Sequence, residues 1–184
     1  KFIIDSKFKN YVSLSFEQSL LGTAGTIKQN KSFFEENTFF VAHADNLCVC
    51  DFEKFIKAHS GRPKHTEITM MTFDTTDPKS CGIVEVNSKN VLTKFHEKVS
   101  NPPSNQANAA VYIMEPEVAK FCDSLHGAGL DISNDVIPKY LGRIFTWHNS
   151  IYNKDIGDIK SLKEAQEDIQ FLVDHMRNMH WFRD

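Results

Sequence analysis

Apolar and polar positions alternate with two periods along this chain, and together they predict a succession of strands and helices. Val12-Ser13-Leu14-Ser15-Phe16 alternates residue by residue, the pattern of a short strand, and delivers Glu17 and a small-residue loop, Leu21-Gly22-Thr23-Ala24-Gly25. Residues 26–36 then read as a helix and residues 39–44 as an apolar strand. Asp51 is a suitable N-cap for a helix that carries Phe52, Phe55, Ile56 and His59 on one face and stops at Gly61 and Pro63. Strand, helix, strand, helix in this order is the mark of a parallel sheet.

Residues 67–73 are almost continuously apolar or β-branched, as a strand buried on both faces should be. Shorter strands are predicted at 82–86, 91–95 and 109–114, with the polar turn Asn87-Ser88-Lys89-Asn90 between the first two. Residues 100–105 hold Pro102 and Pro103 in a rigid polar loop, and Pro116 suits the first turn of a helix through Val118, Phe121 and Leu125, ended at Gly127. A loop of glycines and aspartates fills 127–135, a short amphipathic segment follows at 136–141, and 143–147 is the last strand candidate. Asp158 caps a long helix with Ile159, Leu162, Ala165, Ile169, Leu172, Val173 and Met176 on one face, a stripe that reads as core packing. No internal repeat interrupts this order, and 184 residues suit a single domain, 1–184, with a substantial core.

Charge and cysteine usage narrow the function classes. The 21 basic and 24 acidic side chains nearly cancel, and no basic stripe interleaved with aromatics is present, which argues against nucleic acid as a partner. No apolar run reaches the length of a membrane span and no secretory signal opens the chain, so a cytoplasmic location is expected. Cys48, Cys50, Cys81 and Cys122 lie among apolar neighbours without disulfide-framework spacing and read as packed thiols. A zinc cluster of His43, Asp45, Cys48 and Cys50 would need wider cysteine spacing and a second cluster. The chain opens on Lys1-Phe2-Ile3-Ile4-Asp5 without an initiator methionine, as if entering partway through a helix or loop of a larger protein.

The candidate chemistry begins at Asp45, within His43-Ala44-Asp45-Asn46 just after the apolar run Phe39-Phe40-Val41-Ala42. In an open parallel sheet, ligands bind outside the carboxyl ends of the strands, where a carboxylate can hold a divalent cation against phosphate oxygens. Taken alone, an aspartate after a strand is more often there for ordinary reasons, chiefly as a helix N-cap. The glycine loop could bring backbone N–H groups close to a flat or anionic ligand, or simply turn a strand into a helix. Asp155-Ile156-Gly157 is a second acidic turn, and two carboxylates at one crevice edge suit Mg²⁺, which otherwise relies on water and phosphate oxygens. Glu97-Lys98 follows a strand and reads either as a surface ion pair or as a sugar-phosphate contact; Asn108 reads as a turn residue or a sugar-hydroxyl contact.

The ordered set Glu17 with Leu21-Gly22-Thr23-Ala24-Gly25, Ala44-Asp45, Glu97-Lys98, Asn108 with Val111-Tyr112, Asp135-Val136-Ile137-Pro138 and Asp155-Ile156-Gly157 resembles the sugar-1-phosphate nucleotidyltransferases over nearly the whole chain. Its Leu-Gly-Thr-Ala-Gly form is similar to that of guanylyltransferases acting on mannose 1-phosphate or heptose 1-phosphate, with close variants in thymidylyl and uridylyl relatives. The resemblance implies an α/β fold with a Rossmann-like mixed, mostly parallel sheet flanked by helices, of the nucleotide-diphospho-sugar transferase type. It implies Mg²⁺-dependent attack of a sugar 1-phosphate oxygen on the α-phosphorus of a nucleoside triphosphate, GTP favoured, with release of pyrophosphate. By the same resemblance Glu17, Leu21, Gly22, Thr23, Ala24 and Asp45 would contact the nucleotide, and Asp45 and Asp155 the metal. Glu97, Lys98 and Asn108 would contact the sugar phosphate, with Asp45, Asp155 and Lys98 carrying catalysis. Transfer at phosphorus needs alignment and charge neutralisation more than a protein nucleophile.

Two departures stand out. The family commonly has glycine after the Asn-Ala pair, where this chain has Ala110, which narrows the space beside the sugar. The family also opens with a strand and a Gly-x-Gly-Thr-Arg loop that grips the triphosphate. Lys1 enters the pattern after that loop and after the second strand, so the domain reads as N-terminally incomplete, missing its first strand-loop-helix-strand portion. The absent strand would lie in the middle of the sheet, so the gap is expected to be filled by an N-terminal segment, a second chain or a strand exchanged between copies. A second reading is a catalytically inactive regulatory module that binds a sugar phosphate or nucleotide.

Overall fold

The structure is a computed structural model that describes residue 3 and residues 5–178, apart from some side chains near the C-terminal end; the reading of residues 1–5 falls mostly outside the described residues. β6 (Gln106–Met114) is the organising strand. On one edge it pairs antiparallel with β3 (Ile68–Asp74), and β7 (Ile144–His148) extends the sheet beyond β3. The other edge of β6 is shared. β1 (Phe39–Ala42) takes positions 111–114, and the hairpin of β4 (Gly82–Val86) and β5 (Leu92–Glu97) joins at Ala107.

The sheet is therefore mixed and mostly antiparallel, with β3–β7 the one parallel pair among the described strands, which corrects the mostly parallel sheet expected from the sequence. The βαβ rhythm is real. Helix α3 (Phe52–Ser60) carries the chain from β1 to β3, and both strands run antiparallel to β6, hence parallel to each other. They are not neighbours because β6 inserts between them. Among the described strands, β1 pairs with β6 alone, so its other edge is open.

Both faces of the sheet are covered. Met70, Tyr112 and Met114 pack on one side against α1 (Thr23–Gln29) and α4 (Pro116–Ser124), while Met71, Val111 and Ile113 pack on the other against Phe55 of α3. Successive side chains of β3 thus point to opposite cores, as its unbroken apolar run requires. Asp51 caps α3 by accepting from the Lys54 N–H at 3.0 Å, and Asp158 caps α5 (Ile159–Asn178) through the N–H groups of Lys160 and Ser161. Buried His59 of α3 shares hydrogen bonds with Thr69 Oγ1 (2.7 Å) and Glu115 Oε1 (3.0 Å), and Arg62 also pairs with Glu115. Burial, then Arg62, holds the His59 pKa below its usual value.

Several predicted elements change. Residues 12–16 form no strand, and Leu14 and Phe16 are 71% and 85% exposed; alternation without a partner strand to complete a ladder does not hold one. The predicted 26–36 helix starts earlier and breaks at Asn30, whose side-chain amide turns back to the Thr26 carbonyl (2.9 Å), leaving α1 and a short α2 (Lys31–Phe34). Ala165 and Leu172 of α5 are buried, but Ile159, Leu162 and Ile169 are exposed, so the stripe is only partly core; the Met176 side chain lies outside the described residues. Two short strands were not legible, β2 (Asn46–Val49) and β8 (Tyr152–Asp155), which pair as a separate antiparallel ribbon.

Candidate active site

The β2–β8 ribbon brings the two aspartates together. Its register sets Asn46 opposite Asp155, and the Ile156 N–H donates to the Asp45 carbonyl at 2.7 Å. A Cβ placed on Gly157 would lie 3.0 Å from Asp155 Oδ1 and 3.4 Å from Asp45 Oδ2, so both carboxylates converge on this glycine. Its backbone N–H holds Asp155 Oδ1 at 2.7 Å. Both side chains are exposed. No group of three or more His, Cys, Asp or Glu side chains able to hold a metal occurs among the described residues. Two carboxylates without a third protein ligand suit Mg²⁺ completed by water and phosphate oxygens, and not a closed structural zinc site. His43, Asp45, Cys48 and Cys50 accordingly form no zinc cluster, and the four cysteines are free.

Beside this pair lies a cavity of about 170 Å³ lined by Asp155, Glu97, Lys98 and Asn108 among others. It opens where β6 changes partners: position 111 pairs with β1 and position 107 with β4, leaving 108–110 without a strand on that edge. Asn46 reaches into this interval, its amide donating to the Ala109 carbonyl at 3.0 Å, which ties the Asp45 turn to β6. Glu97, at the end of β5, is half-buried; burial, with the charge of Asp131 adding to it, raises its pKa against the pull of Lys98. A Cβ on Gly82 would come within 2.7 Å of Glu97 Oε2, so the absent side chain there leaves the carboxylate its place. Lys98 Nζ is 3.9 Å from Glu97 Oε1 with a mostly exposed side chain, free to swing toward an anion. Asn108 donates to the Tyr112 hydroxyl at 2.6 Å and accepts from the Ala110 N–H at 3.0 Å, so it fixes the strand as well as facing the cavity.

The glycine loop leads into α1 and packs against a distant segment. The N–H groups of Ala24 and Gly25 donate to the Leu130 carbonyl (3.0 and 3.2 Å), so they are already occupied. Thr23 Oγ1 donates to Asp131 Oδ2 and accepts from the Ile132 N–H, both at 2.8 Å. Glu17 accepts from the Leu21 N–H at 3.1 Å and from the Thr26 hydroxyl, which fixes the loop from the other side. The loop thus docks the 127–131 segment, and Leu21 and Gly25 border a different cavity, of about 480 Å³. Gly22 has φ +80°, and an added Cβ would overlap the Leu130 carbonyl oxygen. Gly22→Ala is expected to cost about 3 kcal/mol by combining left-handed strain with a backbone clash. Denaturant unfolding measures it, and an unchanged midpoint would contradict this docking.

Sequence reasoning passed over several residues that the fold brings here. Asn46, Asn153 and Ser133 line the cavity, and Asp131 links the glycine loop to Glu97 through charge. Asn46 adjoins Asp45 in the stretch singled out above; nothing local marks Ser133 or Asn153, because their place depends on distant pairing.

A family profile described as nucleotidyl transferase matches residues 3–171. The chain belongs to this family. Among its relatives are two glucose-1-phosphate adenylyltransferases. That of Halalkalibacterium halodurans is 28% identical over 162 residues, and that of Bacillus licheniformis 29% over 166. These alignments cover 80% and 84% of this chain but 41% and 43% of the relatives, so the chain spans about two fifths of their length. The fold is shared with a candidate glucose-1-phosphate thymidylyltransferase from Bacillus anthracis solved with sucrose (TM-score 0.76, 19% identity, covering 89% of this chain and 68% of that one). It is also shared with HddC from Yersinia pseudotuberculosis (TM-score 0.68, 24% identity, covering 91% and 73%).

Proposed function

We propose that this nucleotidyl transferase chain is the sugar-phosphate-binding and metal-binding part of an enzyme that joins a nucleoside triphosphate to a sugar 1-phosphate. An oxygen of the sugar phosphate attacks the α-phosphorus, the bond to the bridging oxygen breaks, and pyrophosphate leaves with a nucleotide sugar as the other product. The observation that carries this reading is the meeting of Asp155, Glu97, Lys98 and Asn108 around one cavity, with the Asp45 carboxylate converging on the same Gly157 as Asp155.

In this reading Lys98 neutralises the sugar phosphate, and Glu97 and Asn108 orient ring hydroxyls. Asp45 and Asp155 would hold Mg²⁺, which when bound neutralises charge on the phosphate oxygens. Glu17, Leu21, Gly22, Thr23 and Ala24 shape the base side of the nucleotide site. Support for GTP comes from the Leu21-Gly22-Thr23-Ala24-Gly25 form, whereas the proteins named above include adenylyl transferases and a candidate thymidylyl transferase. A cytoplasmic location fits free thiols, and no helix among the described residues is long and apolar enough to cross a membrane.

The test is pyrophosphate release by the protein as encoded, with Mg²⁺, each common nucleoside triphosphate and a panel of sugar 1-phosphates. Turnover with at least one pair is expected, and none with any pair would overturn the reading. Lys98→Ala is expected to weaken sugar 1-phosphate binding about 10- to 100-fold, the worth of a charged hydrogen bond, while nucleotide binding changes little. Titration calorimetry on each ligand decides, and the opposite order would remove Lys98 from the sugar-phosphate site.

A further inference from the structure

Three described residues other than glycine hold a positive φ: Asn90, Lys98 and Ala110. Asn90 lies in the β4–β5 turn, where asparagine tolerates that conformation. Lys98 and Ala110 are different, because both line the cavity that holds Glu97, Asn108 and Asp155. Left-handed alanine has no polar side chain to offset its strain, and glycine would take φ 53° freely. The methyl group at 110 is therefore imposed on the backbone at the cavity wall.

We propose that Ala110 is a specificity-determining residue: its methyl group walls the sugar subsite, admitting sugar 1-phosphates whose ring carries plain hydroxyls and rejecting those with bulkier ring substituents. This rests on the sugar-phosphate reading of the cavity given above. The wall stands in a bulge. Met70 pairs with Tyr112 and Thr72 with Asn108, so three residues of β6 lie opposite Met71 alone. Asn108 locks that bulge from both sides, taking the Ala110 N–H and donating to the hydroxyl of fully buried Tyr112. Half-buried Ala110 also packs against the core cluster that contains Tyr112. The bulge fixes the Ala110 backbone at the wall of this cavity, and a volume of about 170 Å³ leaves little room elsewhere. One carbon in a hydrophobic pocket typically changes discrimination by about 10- to 200-fold, which sets the scale for this wall.

The experiment compares wild type with Ala110→Gly in the protein as encoded. The ligands are glucose 1-phosphate, its 2-acetamido analogue and its 3- and 4-methoxy analogues. Two readouts are taken: kcat/KM from pyrophosphate release, and direct calorimetric binding of each sugar 1-phosphate without nucleotide. The glycine variant is expected to lower the preference for the parent sugar over at least one analogue by 10-fold or more, with its nucleotide KM unchanged. Unchanged preference for every analogue in both readouts would overturn the proposal, as would a wild type that accepts all analogues equally. If no pyrophosphate is released but the binding preference falls in the variant, the proposed reaction fails while the role of Ala110 stands. Absence of both turnover and sugar 1-phosphate binding would overturn the two together.

Discussion

Asp45→Asn and Asp155→Asn in the protein as encoded are each expected to lower pyrophosphate release by about 100-fold or more, the scale of losing one oriented charge contact to a transferring phosphoryl group. The two carboxylates come from distant turns, yet both lie beside Gly157, and the ribbon holding them is fixed by the bond from Ile156 N–H to the Asp45 carbonyl. Asparagine keeps the size and can still hydrogen-bond, so folding should survive while the charge at this point is halved. Circular dichroism and unfolding midpoints close to wild type would separate a lost site from a lost fold. Unchanged turnover in both variants would refute the assignment of this pair to the metal.

Purified alone, residues 1–184 are expected to self-associate and to release no pyrophosphate. β1 offers an edge with no strand partner among the described residues, and Phe40 on it is 46% exposed, stacked edge-on to the partly exposed Phe52 at 5.8 Å. Ile56 extends the same apolar face of α3. An unpaired apolar edge of this kind invites another strand, whether from an adjoining segment of the protein, a second chain or an exchanged copy. Light scattering and sedimentation give the mass, and the pyrophosphate assay gives the activity. A well-behaved, active monomer would refute the expectation that another strand must cover β1.

Local order was written in the chain. The caps Asp51 and Asp158, the doubly buried run of β3 and the Asn87–Asn90 turn each depend on neighbours within a few residues, so periodicity and capping chemistry predicted them. The candidate residues Glu97, Lys98, Asn108 and Asp155 were likewise visible as types and in order, and they line one cavity. Tertiary structure decided the rest. Antiparallel insertion of β6 between β1 and β3 is a choice among long-range pairings that no local pattern encodes, and it opens the interval at 108–110 where the cavity forms. The β2–β8 ribbon is built of short, partly polar strands that signal nothing alone, yet its register is what makes Asp45 and Asp155 neighbours. The glycine loop was legible as a tight turn, but only packing against Leu130 shows where its N–H groups go. The family resemblance marked Ala110 as a departure beside the expected sugar contact; only the folded backbone reveals its left-handed conformation, because φ at that residue is set by the bulge and not by alanine itself.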